Sequence, residues 1–289
     1  MTQIEVIPSG AALGAEIRSV DLAAPLSAET VQTVRKAWLE HLVLLFRGQS
    51  LTDRQLIDFT RHFGDLEFPP HKLLDYSKGP GQEPEVPIEV NVISNVKVNG
   101  KPIGKLGAGE AAWHTDSAFV ETPPAASILY AIEIPPRGGN TSFLNMYAAL
   151  DALTDDIRTR FSNCRLKHDQ SYTSAGDRRE DYAEVTDVRD APGPWHPAIR
   201  THPETGRPAL YLGRRLNSYV EGLSVAESDA LLDDVWSHVA RREFVWEHEW
   251  RVGDVLMWDN RCVMHRRDAF DDSERRIMHR TQLKGDRPY

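Results

Sequence analysis

A closed or double-sheet β architecture carrying a few helices is what the sequence predicts. Short apolar runs bounded by glycine and proline recur through the middle of the chain. From Phe244 onward four strands follow in succession. No internal repeat or low-complexity linker interrupts the 289 residues. The chain therefore reads as one domain, 1–289, a size that β-barrels and sandwiches reach undivided.

Taken in order, Ile4 to Ile7 alternates and meets Ser9-Gly10, a strand and turn. Ser27 opens a segment with apolar residues at Val31, Val34, Trp38 and Leu39, a helical spacing. Leu42 to Phe46 is a buried strand ended by Arg47-Gly48. Thr52 and Gln55 form a capping box ahead of Leu56, Phe59 and Phe63, with Gly64 placed to stop that helix. Residues 68–88 and 173–194 are polar and rich in turn formers, and long loops of this kind are often lids. Val90 to Val96 is a strand, Asn99-Gly100 a hairpin turn, and Ser127 to Ile134 an apolar strand. Thr141 to Leu144 is another strand, followed by a short helix near Ala148. Pro197 to Thr201 and Ala209 to Leu212 make a hairpin around Glu204-Thr205-Gly206. Ser224 and Glu227 form a second capping box before a helix through Leu231, Leu232, Val235 and Val239. Phe244 to Trp250, Val255 to Trp258, Cys262 to His265 and Ile277 to Leu283 are the terminal strands.

Lys and Arg number 34 against 43 Asp and Glu, a net charge of −9. That balance argues against a nucleic-acid partner but allows a local basic pocket for a small acid. The start of the chain lacks the basic and apolar regions of an export signal. The longest aliphatic run, Leu42 to Phe46, is too short for a bilayer. Two cysteines, Cys164 and Cys262, are no disulfide framework, which fits a reducing cytoplasm and no membrane partner.

Chemistry centres on Trp113-His114-Thr115-Asp116, just after the glycine-rich 104–109. In an extended segment residues i and i+2 share a face, so His114 and Asp116 could grip one metal ion. Of the eleven histidines, His41, His62, His168, His202, His238 and His248 read as surface or structural. His265 differs, because it closes a strand–turn–strand pattern that begins at Trp258-Asp259-Asn260-Arg261. Two histidines and a carboxylate on a β scaffold make a facial triad. That set leaves three metal positions open and suits non-haem Fe(II); it also serves zinc in hydrolases. A non-catalytic β-barrel binding protein is a further alternative. Arg276 and Arg280 are four residues apart on a predicted strand and so are expected to face the same side. One guanidinium could hold a keto-acid carboxylate and the other an acidic substrate. The alternative is a solvated basic face.

Trp113-His114-Thr115-Asp116, Phe119, 121–125, Gly138-Gly139-Asn140-Thr141, Trp258-Asp259-Asn260-Arg261 with His265, and the basic run 275–280 together resemble the taurine dioxygenase family of Fe(II)/2-oxoglutarate-dependent dioxygenases. The likeness extends from Gly14-Ala15-Glu16-Ile17 to Gly285-Asp286. It implies a mainly β fold with helical insertions, a double-stranded β-helix or cupin-like jelly roll. It implies His114, Asp116 and His265 as iron ligands, Thr141 and Arg276 as partners of the distal carboxylate of 2-oxoglutarate, and O2 as the oxidant. Arg280 would meet the acidic head of a small organic anion, with Glu110, Ser117, His71, Lys72 and Lys101 as further substrate residues. The segment 93–96, Gly100-Lys101, Lys72 and 262–266 are similar to the 2,4-dichlorophenoxyacetate dioxygenase branch. Glu110 departs from both that branch and the taurine branch. The implied substrate is an aryloxyalkanoate-like carboxylate; the alternative is taurine, another sulfonate or an alkyl sulfate. Trp113, Phe119 and Phe270 are candidate pocket walls. A homo-oligomer, dimer or tetramer, is the expected assembly.

Overall fold

Period-two alternation inside two neighbouring strands sets the layering of the molecule, whose computed structural model describes residues 3–68, 86–104 and 107–289. In strand Val255–Asp259, Val255 and Met257 join one apolar cluster while Leu256 and Trp258 join another. In Ala126–Glu133, Ile128 goes with the first pair, Leu129 and Ala131 with the second. Successive side chains of a strand point to opposite faces, so this sheet is buried on both sides.

The larger sheet has eight strands in the order Glu5–Pro8, Ala15–Arg18, Val43–Phe46, Val255–Asp259, Ala126–Glu133, Ile277–Leu283, Leu66–Glu67, with Asn91–Ser94 also pairing Ile277–Leu283. The smaller sheet has the order Val245–His248, Thr141–Asn145, Val263–Arg267, Ala111–His114. Leu129, Trp258 and Met278 of the larger sheet share one core with Phe143, Leu144 and Met264 of the smaller. Phe143 lies 5.6 Å from Trp258 and 5.8 Å from Trp246, centroid to centroid. Two sheets closing on a common core make a jelly roll, mainly β with helical insertions.

Helices Ala28–His41 and Asp53–Arg61 cover the outer face of the larger sheet, placing Val34, Trp38, Leu56 and Phe59 in its outer cluster. Ser27 caps the first by accepting the Thr30 amide, and Thr52 with Gln55 forms the full capping box of the second. That helix ends at Arg61 with His62 as its cap, sooner than Gly64 would have stopped it. Ser224 and Glu227 form the other capping box, at the head of Val225–Val239. Asn99 and Gly100, with φ of 51° and 78°, turn the chain between strands Lys97–Val98 and Lys101–Pro102, as a two-residue hairpin requires.

Some local structure lay outside the sequence expectations. Helix Asp155–Phe161 and strand Arg165–Lys167 separate the short helix Met146–Asp151 from the polar segment. That segment, 173–194, is not structureless. A bridge pairs Tyr172 with Arg178, a 3-10 turn occupies Val188–Asp190, and the Ser174 carbonyl accepts the Ala112 amide at 3.0 Å. The polar stretch is thereby stitched to the strand Ala111–His114. Most of the other candidate lid, 68–88, lies outside the described residues. Among the described residues no helix is long and apolar enough to cross a membrane. Cys164 and Cys262 are both unbridged.

Candidate active site

Two adjacent strands of the smaller sheet deliver the histidines. His114 ends Ala111–His114 and is the direct cross-strand partner of His265 in Val263–Arg267. Their rings are 4.2 Å apart, centroid to centroid. Asp116 is not on the strand. It sits two residues beyond its end, in a turn, so that turn rather than extended alternation brings its carboxylate to the rings. Asn260 fixes the turn. Its amide oxygen accepts the Asp116 N–H and its nitrogen donates to the Asp116 and Pro124 carbonyls, all at 2.9 Å.

The larger sheet holds the carboxylate itself. Oδ2 accepts from the Ser127 hydroxyl at 2.7 Å and the Gln282 amide at 3.3 Å. Arg280 Nη1 donates to Oδ1 at 3.0 Å and to Oδ2 at 3.1 Å. Oδ1 also lies 3.7 Å from His114 Nε2 and 3.8 Å from His265 Nε2. Both spans are too long for hydrogen bonds. The donor atoms of the three residues lie within 4.8 Å of one another and converge on a common point. His114 Nδ1 is 2.8 Å from the Ala112 carbonyl. A carbonyl only accepts, so Nδ1 carries the proton and Nε2 presents its lone pair.

Protonation states suit metal binding, which needs neutral imidazole and ionised carboxylate. Burial would raise the Asp116 carboxyl, but Arg280 and then His265 and His114 hold it well below the usual carboxylate range. Burial, with the His114 ring beside it, pushes His265 down to about 3. Two nitrogens, one carboxylate and no thiolate form a donor set that fits ferrous iron.

Arg276 and Thr141 fit a dicarboxylate. Arg276 is 2 % exposed, and its Nε has no hydrogen-bond partner among the described residues. Burial and then the nearby Arg267 push it down to about 9. The Trp250 indole N–H donates to Thr141 Oγ1 at 2.9 Å, and the Arg276 guanidinium lies 6.0 Å from the same ring. With one lone pair taken by Trp250, the Thr141 hydroxyl can donate its proton to an oxyanion.

Arg276 and Arg280 line different cavities. The register of Ile277–Leu283 against Ala126–Glu133 shifts between Ile277 and Met278. The successive partners are Glu133 and Ala131, so the extra residue of this bulge is Ile132 of the facing strand, and the pairing of Ile277 to Arg280 with Asn91–Ser94 is unbroken. Arg280 lines a cavity of about 880 Å³ together with His114, Asp116, Ser117 and Phe119. Arg276 lines another.

The remaining candidates separate. Ser117 is in the 880 Å³ cavity. Glu110 is exposed, 3.6 Å from Arg266, and Lys101 is exposed on its hairpin; neither lines that cavity. His71 and Lys72 lie outside the described residues. Of the aromatics, Phe119 is a cavity wall, Trp113 lies under Arg266 and Phe270 under Arg267. His202 and His248 are buried and paired with Asp259 and Asp254. Asp259 has both oxygens engaged by Arg261, so the His202, Asp259 and Cys262 grouping is a structural knot.

Sequence reasoning missed Ser127 and Gln282, direct partners across two strands of the larger sheet. Their signal was a polar residue inside an apolar strand. It also missed Arg214, which pairs with His114 through the backbone. Arg214 donates to the Tyr172 and Asp169 carbonyls at 2.8 Å and 2.9 Å, fastening the polar segment beside the metal-binding strand. Asn260 was within a quoted motif but had no assigned task. Asn260→Ala is expected to weaken Mn(II) affinity by about 10–100-fold, the usual cost of losing an orienting partner, as read by metal titration; an unchanged affinity would mean that the turn holds itself.

A family model, "Taurine catabolism dioxygenase TauD, TfdA family", matches residues 5–282. The chain is 37% identical over 281 residues to an alpha-ketoglutarate-dependent 2,4-dichlorophenoxyacetate dioxygenase of Cupriavidus pinatubonensis, covering 94% of each chain. It is 32% identical to an alpha-ketoglutarate-dependent sulfate ester dioxygenase of Pseudomonas putida, covering 99% of this chain and 91% of the other. The crystal structure of AAD-2 in complex with Mn(II) and N-oxalylglycine superposes with a TM-score of 0.79 at 30% identity, covering 99% of both chains.

Proposed function

We propose, for a chain that belongs to the TauD, TfdA family, that its substrate is a small organic anion, foremost an aryloxyalkanoate-like carboxylate. The protein is an Fe(II)- and 2-oxoglutarate-dependent dioxygenase. The observation that carries the substrate reading is Arg280, a cation at the inner end of the 880 Å³ cavity and in contact with Asp116.

His114, Asp116 and His265 would hold the iron, and Arg276 with Thr141 the distal carboxylate of 2-oxoglutarate. Iron so held supplies the oxidising chemistry that couples O2 and the conversion of 2-oxoglutarate to succinate and CO2 with hydroxylation of a substrate C–H bond. Ser127 and Gln282 hold Oδ2 of Asp116, which would leave Oδ1 to the metal. Arg280 and Ser117 orient the substrate's acidic end, bringing the reactive carbon to the metal-facing end of the cavity. Hydroxylation next to an ether or ester oxygen gives a product that falls apart, so the net reaction is cleavage. The 169–182 segment, anchored by Arg214, limits water at the cavity mouth.

A second reading, the same chemistry on taurine, another sulfonate or an alkyl sulfate, draws support from Phe119. The Arg179 guanidinium lies 4.4 Å from its ring centroid, leaving less ring for an aryl substrate. Oxygen uptake and succinate release with matched panels of aryloxyalkanoates, sulfonates and alkyl sulfates decide between them. The expected result is equimolar succinate and hydroxylated or cleaved product. Hydrolysis without oxygen uptake would overturn the reading.

We place the protein in the cytoplasm, in keeping with two unbridged cysteines, as one domain over 1–289 and as a homodimer or homotetramer. Light scattering reads the assembly directly.

A further inference from the structure

A second cavity, of about 490 Å³, reaches Arg276 and, among the described residues, shares no lining residue with the first. Arg276 and Trp250 form its buried end, and Pro136 and Arg137 are exposed at its rim. Gly138 and Gly139 complete the wall with φ of +73° and +68°. A Cβ on Gly138 would come within 2.6 Å of the Ala269 carbonyl oxygen, and one on Gly139 would lie 3.5 Å from Arg276 Nε. The paired glycines let the backbone close around the guanidinium without filling the space beside it.

The two cavities differ in charge. Among the described residues, Arg137 and Arg276 face a single acid, Glu249, in the smaller one. The larger is lined by Arg214 and Arg280 as well, but near its mouth Asp177, Glu180 and Asp181, all exposed, outnumber Arg179. Such a mouth repels a dianion more strongly than a singly charged substrate. A buried guanidinium whose Nε lacks a partner among the described residues calls for an anion, and the open space touching it is the smaller cavity.

We propose that the smaller cavity is a separate access route for dicarboxylates. 2-Oxoglutarate arrives over Arg137 onto Arg276, and succinate leaves the same way, whatever occupies the larger cavity. The route rests on Arg276 holding the distal carboxylate.

Association of N-oxalylglycine with the Mn(II)-loaded protein, followed by stopped-flow tryptophan fluorescence, tests it. Arg137→Glu and Pro136→Trp alter exposed rim positions, so the fold is retained, as melting curves verify. Each is expected to slow association about tenfold, within the range of electrostatic and steric gating. Ser174→Trp, at the mouth of the larger cavity, leaves the rate unchanged. Undiminished rates in both rim variants, or an equal fall in Ser174→Trp, would overturn the route. Full N-oxalylglycine affinity in Arg276→Gln would overturn the carboxylate reading beneath it, and the route with it.

Discussion

Asp116→Ala is expected to yield a protein that neither retains a divalent metal nor couples oxygen uptake to succinate. Partners that merely orient a ligand cost about 10–100-fold when removed, and loss of the ligand itself exceeds that. The change also strands a charge. Arg280 is mostly buried, and Asp116 is its ion-pair partner. Breaking a buried pair from one side costs about 3–5 kcal/mol, because the surviving charge keeps its desolvation penalty. Urea denaturation of chelator-treated protein should therefore show a lower midpoint for Asp116→Ala than for the parent. Adding Arg280→Met should restore part of the loss without restoring metal. A metal-free Asp116→Ala protein as stable as the parent would mean that Arg280 is solvated after all.

Arg276→Leu should separate function from stability in the opposite sense. Co-substrate binding is expected to fall by more than tenfold, since a charge-assisted contact is worth about 2–5 kcal/mol. The thermal upshift that N-oxalylglycine gives the parent should vanish. Yet the ligand-free variant should be as stable as the parent or more so, because a buried cation pushed down to about 9 is a burden on the fold. The sign follows from linkage. Folding lowers this group's affinity for its proton, so the destabilisation is complete below pH 9 and fades as pH rises from about 9 towards the ordinary 12.5. The advantage of Arg276→Leu is thus greatest near neutrality and shrinks in alkali. A ligand-free variant that melts well below the parent would mean that Arg276 already has a partner within the fold.

Several elements were legible because their signals are local. The capping boxes at Thr52 and Ser224 and the Asn99-Gly100 turn each reside in four residues or fewer. The site residues His114, Asp116 and His265 were legible as types and order, and the fold brings their donor atoms within 4.8 Å of one another. What could not be read was strand pairing. The spacing of Arg276 and Arg280 did not reveal that they line different cavities, nor that Ile132 bulges from the strand facing Ile277 and Met278. A bulge is fixed by pairing with another strand, here one about 150 residues later in the chain, and leaves no mark in its own sequence. Ser127 and Gln282 were hidden for a related reason. Each looks like an unremarkable polar residue until strand pairing sets them side by side under Asp116.

The histidine donors stand on the smaller sheet, while the groups gripping Asp116 come from the larger one. A metal bound at that point is a rivet through two layers. Its binding free energy then resists the parting of the layers as well as supporting chemistry, amounting to about 2.7 kcal/mol at a free metal concentration one hundred times its dissociation constant. Iron scarcity would accordingly loosen the barrel at its seam, and the same ion that oxidises the substrate would set how long the enzyme survives between turnovers.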